Sequence, residues 1–125
     1  MKFTILTLFI LLSIASTQED AFQQLFKEGN DSYADSSWSD AISKYNSILT
    51  KGFHHSNLYY NLGNAFYQSK MFGHAIWAYE KGLQVDPDDN DLNYNLIFVK
   101  RETGIVELPK PVFLIRFYNS VKSSL

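Results

Sequence analysis

Apolar residues recur every three or four positions between residues 56 and 85, in two runs separated by a short polar break. The first run occupies positions i, i+4, i+7 and i+8: Leu58, Leu62, Ala65 and Phe66. The second run has comparable spacing: Phe72, Ala75, Ile76, Tyr79 and Leu83. Each run forms one face of an amphipathic α-helix. The small residues Gly63 and Ala75 allow the two helices to approach closely, and Pro87 ends the second helix. The pattern predicts a helical hairpin.

The same pattern recurs at one fixed interval, once earlier and once later in the chain. The earlier matches are Gly29/Gly63, Asn30/Asn64, Tyr33/Tyr67, Ala41/Ala75, Ile42/Ile76, Tyr45/Tyr79 and Leu49/Leu83. The later matches are Leu58/Leu92, Tyr60/Tyr94, Asn61/Asn95 and Leu62/Leu96. A fixed period of this length is typical of stacked helical repeats. We therefore predict full repeats at 22–55 and 56–89, with the first helix of a third repeat at 90–103.

The order of residues within 56–89 resembles a tetratricopeptide repeat. The matching positions are Leu62-Gly63, Phe66, Ala75, Tyr79 and Pro87. The resemblance implies an all-α fold of the tetratricopeptide type: a helical-hairpin solenoid over residues 20–103, with two full repeats plus a capping helix, followed by a C-terminal helix. The first repeat departs from the family pattern at Glu28, Ser32 and Phe53, as terminal repeats often do.

Local signals predict how several helices begin and end. In the first repeat, Ser37 and Asp40 form an approximate capping box for the second helix. Gly52 can close that helix in a left-handed conformation. Asp89 places a carboxylate at the positive end of the fifth helix. Gly82 stands inside a helix, where the family usually has alanine, and we expect a close contact with the third repeat to explain it.

Residues 1–16 have the pattern of a secretory signal peptide. A positive start at Lys2 precedes the apolar run Phe3–Ala15, and small residues then lead into polar sequence. The run is shorter than the roughly 20 residues that a transmembrane helix needs. We predict that this segment is removed and that the protein is exported to the periplasm or cell envelope. A buried first helix and an uncleaved anchor are the alternatives.

The C-terminal end has a different composition. Pro109 and Pro111 predict a stiff linker over residues 104–111, and residues 112–125 predict an amphipathic helix that is too short to cross a bilayer. This helix can pack back on the solenoid, which we favour. Alternatively it can lie at a membrane surface, which leaves membrane association open.

Composition and charge exclude several classes of function. The formal net charge of −2 has the wrong sign for a nucleic-acid-binding protein, and the 46% hydrophobic content argues against disorder. The chain has no cysteine. His54, His55 and His74 lack the spacing of metal ligands, and the acidic stretch around Asp86–Asp91 lacks the calcium-loop pattern. We predict no catalytic residue, no metal site and no cofactor, and hence no enzyme.

The family resemblance implies a concave surface, lined by the first helix of each repeat, that binds a partner. The residues carried over to this surface are Phe26, Asn30, Tyr33, Tyr60, Asn61, Asn64, Tyr67, Tyr94, Asn95 and Phe98. They form a series of asparagines interleaved with aromatic rings. An asparagine offers both a donor and an acceptor to a peptide backbone, and tyrosine offers contact area with few rotatable bonds.

One subclass of the family is disfavoured. Members that bind chaperones hold a terminal carboxylate with asparagines and several basic side chains. Asn30 and Asn61 match two of these positions, but Phe26, Asp91 and Asn95 occupy positions where the clamp needs positive charge.

The export signal, the sequence Tyr59–Phe66 and the proline linker together are similar to the tetratricopeptide member of the Bat (Bacteroides aerotolerance) proteins of the bacterial envelope. This resemblance implies a scaffold working with von Willebrand A-type partners. We therefore predict a non-enzymatic envelope adaptor that binds a protein or peptide in its concave groove. The alternative is a structural subunit whose groove is filled by its own C-terminal helix or by a second copy.

Overall fold

The computed structural model describes residues 2–105, which form five helices and no strand. The helices are α1 Lys2–Ala34, α2 Trp38–Thr50, α3 Ser56–Gln68, α4 Phe72–Val85 and α5 Asn90–Glu102. The predicted all-α class is confirmed. The helix predicted at 112–125, and the linker predicted at 104–111 apart from residues 104 and 105, lie outside the described residues.

The helices stack as successive hairpins. α1 packs on α2 and α3 packs on α4, while α2 and α4 also contact the first helix of the next repeat. α1 and α5 each touch α3 along one side of the stack. By contrast, no Cα atom of α2 lies within 8 Å of a Cα atom of α4. The first helices of the repeats therefore form one continuous wall, whereas the second helices leave a furrow between them.

The core follows the apolar stripes that the sequence predicts. Its most deeply buried large side chains are Tyr45, Ile48, Leu58, Leu62, Tyr79, Leu92 and Val99. Phe22 on α1 is also buried, against Phe53 at a ring-centroid distance of 5.3 Å. Burying apolar area of this kind stabilises a fold by roughly 25 cal/mol per Å². Because the core extends through all five helices, each hairpin depends on its neighbours for burial.

Three glycines lie where another side chain occupies the space of a β-carbon. Gly29 lies against the ring of Tyr45, and Gly63 lies against the ring of Tyr79. A β-carbon at Gly82 would come within 2.7 Å of Leu92 Cδ1 on α5. The expected contact between Gly82 and the third repeat is therefore confirmed. These glycines let two tyrosine rings and one leucine approach the helix backbones directly.

The turn after each first helix repeats its backbone geometry with the sequence period. Ser36, Lys70 and Gly104 stand at equivalent positions of successive repeats and have φ angles of 60°, 62° and 71°. In the first two turns the next amide closes the helix end, with Ser37 N donating to Ser32 O at 2.8 Å and Met71 N donating to Phe66 O at 2.9 Å. This is the hydrogen bond of a left-handed helix C-terminus, which serine and lysine adopt only at some conformational cost.

The helix caps agree with the sequence at some positions and differ at one. Asp89 accepts from the amides of Asp91 and Leu92, both at 3.0 Å, and Gly52 has a φ of 89°. Ser37 precedes α2, but its side chain makes no capping hydrogen bond, so the predicted capping box is wrong. Its ψ of 66° is outside the extended region from which a cap oxygen reaches the first helical amides.

Glu28 departs from the family pattern, and its contacts give a reason. Its carboxylate accepts from Lys44 Nζ on α2 at 2.6 Å and from Gln24 Nε2 at 3.0 Å. The hydrogen bond from Lys44 holds the pKa of Glu28 below its ordinary value. The residue therefore bridges α1 to α2 at the half-exposed edge of the hairpin, where leucine would remain partly in water.

α1 is longer than the helix expected from about residue 20. It begins at Lys2 and is continuous through residues 2–34, so in the full chain the segment predicted as a signal peptide extends the same helix. Removal of that segment stays a prediction. Across residues 2–105, no helix combines the length and the hydrophobicity needed to span a membrane.

The glycine contacts predict opposite effects for two alanine substitutions. Gly63→Ala places a methyl group against the packed ring of Tyr79, and we expect it to lower the free energy of unfolding by about 1–3 kcal/mol. Gly73→Ala is the matched control on α4, because its β-carbon meets no atom within 4 Å. That change should raise the free energy of unfolding by up to about 1 kcal/mol. Urea denaturation followed by circular dichroism measures the free energy of unfolding of both variants. Equal effects of the two substitutions would contradict the close contact between Gly63 and Tyr79.

Candidate concave binding surface

The ten predicted binding residues lie on α1, α3 and α5, which form the continuous wall of the stack. Asn30, Tyr33, Asn61 and Asn64 meet around one hollow of about 200 Å³. Tyr94 and Phe98 on α5 are 69% and 41% exposed. The remaining four are partly buried: Phe26, Tyr60, Tyr67 and Asn95. None of the ten is fully buried.

Asparagine and tyrosine side chains form a hydrogen-bonded ladder along this wall. The Oδ1 atom of Asn30 accepts from the Tyr45 hydroxyl at 2.7 Å and from Asn61 Nδ2 at 2.9 Å. One repeat later, Oδ1 of Asn64 accepts from the Tyr79 hydroxyl at 2.7 Å and from Asn95 Nδ2 at 2.9 Å. Each unit joins the two helices of one hairpin to the first helix of the next. The ladder therefore carries the period of the sequence into the hydrogen bonding.

The ladder determines which polar atoms remain available to a ligand. The carbonyl oxygens of Asn30 and Asn64 each already accept two hydrogen bonds. The Nδ2 groups of these two residues, and the Oδ1 atoms of Asn61 and Asn95, make no hydrogen bond within the described part of the chain. The expectation that each asparagine presents both a donor and an acceptor is therefore too broad. A ligand meets donors from one pair and acceptors from the other.

Aromatic rings continue the wall onto α5. Tyr67 lies edge-on to Phe98 at a centroid distance of 5.9 Å, and Tyr94 stacks on Phe98 at 6.4 Å. The Tyr67 hydroxyl donates to Oε2 of Glu102 at 2.7 Å. Tyr67 is thereby held between the second and third repeats. An exposed pair of rings beside a fixed one offers apolar contact area at the end of the groove.

Tyr45, Tyr79 and Glu102 are members of the site that the sequence reasoning missed. The apolar spacing assigns both tyrosines to the core, where their rings do lie, but it says nothing about where a hydroxyl ends. The one available signal is that Tyr45 and Tyr79 are separated by the same interval as Asn30 and Asn64. A buried hydroxyl usually has a partner, so the shared period pairs these residues.

Burial and hydrogen bonding raise the pKa of three tyrosines at this site. Burial raises the pKa of Tyr45 to about 12, and burial also raises the pKa of Tyr79 above its ordinary value. The hydrogen bond to Glu102 raises the pKa of Tyr67. The ladder hydroxyls are therefore neutral donors at physiological pH.

The charged residues near this wall do not form a basic cluster. Lys27 is paired with Asp31 at 2.6 Å on the exposed side of α1, and Asp91 is an exposed acid at the start of α5. Asn95, at a position where a carboxylate clamp needs positive charge, is hydrogen bonded to Asn64. The described wall is therefore mostly uncharged, aromatic and amide-rich. Within residues 2–105, no three His, Cys, Asp or Glu residues are placed to hold a metal ion.

Comparison with known proteins agrees with this architecture. The family model described as tetratricopeptide repeat matches residues 56–89. Sperm-associated antigen 1 is 34% identical over 80 residues in the rat protein and 30% identical over 95 residues in the mouse protein. These alignments cover 64% and 71% of this chain, but the chain spans only 9% and 10% of the two relatives.

A solved structure described as the Arabidopsis OM64 TPR domain has the same fold. The two superpose with a TM-score of 0.65 at 19% sequence identity, covering 69% of this chain and 71% of the other. At that identity the likeness concerns the fold alone.

The ladder predicts strong coupling between Asn64 and Tyr79. Asn64→Ala leaves a buried hydroxyl without its acceptor, and we expect the free energy of unfolding to fall by about 1–3 kcal/mol. In a Tyr79→Phe background the same substitution should cost less, because no hydroxyl remains to be satisfied. Asn57→Ala, at an exposed asparagine of the same helix, is the control and should change stability by less than about 0.5 kcal/mol. Additive effects in the double-mutant cycle would contradict the ladder.

The raised pKa of Tyr45 predicts a loss of stability in alkali. Below pH 10 this hydroxyl is protonated in both states, so it adds no pH dependence. As pH rises from the ordinary tyrosine value of 10.0 towards about 12, only the unfolded state releases the proton, and the free energy of unfolding falls. Ultraviolet titration of phenolate absorbance, compared between the natural chain and Tyr45→Phe, should show that Tyr45 ionises above pH 10 and together with loss of helix. Ionisation of Tyr45 near pH 10.0 in a protein that stays folded would contradict the burial.

Proposed function

Because the chain is a tetratricopeptide-repeat protein, we propose that it is a non-enzymatic adaptor that binds a segment of another protein across its concave wall. One observation carries this proposal: the ladder fixes a continuous row of amide groups beside exposed aromatic rings. The free donors lie on Asn30 and Asn64, the free acceptors on Asn61 and Asn95, and the rings on Tyr94 and Phe98. Exposed aromatic residues grouped on one face usually mark an interaction surface.

An extended peptide suits the spacing of the wall. Neighbouring packed helices lie about 8–10 Å apart, which corresponds to about three residues of an extended chain. Successive ladder units can therefore hydrogen bond to the backbone of every third residue of a bound peptide. The peptide side chains between those contacts then lie against tyrosine or phenylalanine rings of the wall. The absence of a basic cluster in the described wall favours an uncharged or weakly charged segment over one that ends in clustered acids.

The cellular setting is part of the proposal. The positive start, short apolar run and small residues within 1–16 support export, and we place the mature protein in the periplasm or cell envelope. The resemblance to the Bat envelope proteins supports a scaffold role with von Willebrand A-type partners.

A structural subunit with an occupied groove is the second candidate, favoured by one observation. Tyr94, Ile97 and Phe98 leave an apolar strip on α5, 69%, 42% and 41% exposed, and the chain continues beyond α5 into an apolar sequence at 112–125. In this account that sequence, or a second copy, covers the strip. Deleting residues 109–125 separates the two candidates. A gain in peptide binding with unchanged melting indicates self-occlusion, and loss of solubility or thermal stability indicates a structural role.

Site-specific cross-linking tests the adaptor proposal. A photo-reactive phenylalanine replaces Tyr94 on the wall or, as a control, Ser43 on the exposed side of α2, in cells that express the full chain. We expect adducts with another protein from position 94 and about tenfold fewer from position 43, because the partner follows the concave face. Mass spectrometry identifies the adduct. Equal yields at both positions would contradict the proposal, and adducts only with the chain itself would support the structural subunit.

A further inference from the structure

The side of the molecule opposite the concave wall carries a second apolar surface. Trp77 on α4 is 43% exposed and Val85, two turns later on the same helix, is 47% exposed. Neither residue faces the ladder. Exposed apolar residues that are grouped on one surface often mark an interaction site.

The two repeats differ sharply at these positions, which provides an internal comparison. In repeat one the residues in register with His74, Trp77, Lys81 and Val85 are Asp40, Ser43, Ser47 and Lys51. Repeat one folds into the same hairpin with these polar residues in place. Stacking of the repeats therefore does not require the tryptophan. The apolar residues Trp77 and Val85 and the positive charge of Lys81 therefore have no counterpart at the equivalent positions of repeat one.

The shape of this face is a furrow between α2 and α4. The backbones of these helices lie more than 8 Å apart at their Cα atoms, and two hollows open between them, one on each side of Trp77. The first, of about 590 Å³, is lined by Leu49, Tyr59 and Val85 among others, and the second, of about 550 Å³, by Phe66 and His74. Trp77 lines both hollows and packs edge-on to Tyr59 at 6.1 Å.

Gly73 leaves the second hollow open. A β-carbon at this position would meet no atom within 4 Å, in contrast to Gly29, Gly63 and Gly82, which face packed side chains. Glycine within a helix costs up to about 1 kcal/mol relative to alanine. Packing does not require a glycine at position 73. Its visible effect is to leave the space beside Phe66 and Trp77 open.

The charge of the furrow is opposite in sense to that of the chain. The protein has 13 acidic and 11 basic residues, yet no aspartate or glutamate lines either hollow. The basic residues that line them are Lys81 and His54 in the first and His74 in the second. The electrostatic complement of this surface is therefore an acidic group beside an apolar one.

From these observations we propose that the furrow between α2 and α4 is a second docking site, which binds an acidic amphipathic helix of another protein. The part of α4 that borders it, residues 73–85, is about 18 Å long at the rise of an α-helix, so it accommodates about three turns of a partner. Apolar side chains at i and i+3 or i+4 of that helix enter the hollows on the two sides of Trp77. Its acidic residues lie near Lys81.

A helix fits this surface better than an extended strand. The furrow is bounded by two helices whose backbone groups are already paired within the helices, so it offers no free edge for strand addition. A groove between two helices accepts the ridges of a third.

The chain's own apolar segments do not supply the complement. Phe3–Ala15 contains no acidic residue, and Val112–Lys122 contains Arg116 and Lys122 but no acidic residue. Either segment would bring neutral or like charge to Lys81. The charge pattern therefore indicates another protein rather than a folded-back end of this one.

Binding of designed peptides to the full chain tests the proposal. The probe is a helical peptide of about 15 residues with leucine on one face and glutamate on the other, and the matched peptide has lysine in place of glutamate. We expect the dissociation constant of the acidic peptide, measured by calorimetry, to be at least about tenfold lower than that of the basic peptide. Trp77→Ser and Lys81→Ser, which install the residues of repeat one, should each weaken binding of the acidic peptide, the former by about tenfold. Ser43→Ala is the control and should not change it.

Three results would overturn the proposal: no binding of the acidic peptide at about 1 mM, equal binding of both peptides, or binding unaffected by Trp77→Ser and Lys81→Ser. Concentration-dependent dimerisation that Trp77→Ser abolishes would also overturn it, since the furrow would then belong to a second copy. Circular dichroism verifies the fold of each variant. Should Trp77→Ser unfold, Lys81→Ser and Gly73→Gln, which fills the second hollow from an exposed position, decide the question.

Discussion

A buried tyrosine hydroxyl that needs an acceptor is the constraint on which the rest of this structure depends. Tyr79 packs its ring on the bare backbone of Gly63, so its hydroxyl reaches α3 at the position of Asn64. An unpaired hydroxyl at this depth would cost about 1–3 kcal/mol. The asparagine carbonyl that satisfies it has a second lone pair, which takes the amide of Asn95 from the next repeat. One acceptor therefore fixes both the angle within a hairpin and the register between hairpins.

The same chemistry makes one face of the molecule different from the other. Along the wall of first helices, the ladder holds amides and rings in fixed places and leaves selected donors and acceptors unused. The furrow between α2 and α4 has no comparable ladder, and it is lined by apolar side chains such as Trp77 together with the basic residues Lys81, His54 and His74. The wall would recognise a partner through backbone hydrogen bonds and aromatic contacts, whereas the furrow would recognise a partner through its shape and charge. The two faces therefore suit different kinds of protein segment.

The sequence predicts those features that depend on local pattern or on the period. Pro87 ends α4, Asp89 caps α5, and Gly82 makes room for Leu92, each from a residue type whose physical role is specific. The capping box at Ser37 fails because a left-handed turn at Ser36 sets the backbone first. Propensity alone does not reveal that turn, since serine and lysine seldom adopt positive φ.

The candidate site is less accessible to sequence reasoning than the fold. The period places the asparagines on one wall, and the structure agrees. Asn61, however, donates to Asn30 of the preceding repeat. This hydrogen bond depends on how two helices cross, and the spacing of residues within one helix does not encode that crossing. The spacing likewise does not reveal the furrow beside Trp77, because residues of three helices line it.

Hydrogen exchange of the asparagine side-chain amides, measured by NMR on the full unliganded chain, tests the ladder most directly. Asn61 and Asn95 donate to carbonyl oxygens of the preceding repeat, whereas Asn57 and Asn93 are exposed on the same two helices. The account predicts exchange at least about tenfold slower for Asn61 and Asn95 than for Asn57 and Asn93, since a hydrogen-bonded amide must open before it exchanges. Equal exchange rates at all four residues would mean that the ladder does not hold the repeats in register, and would contradict the account.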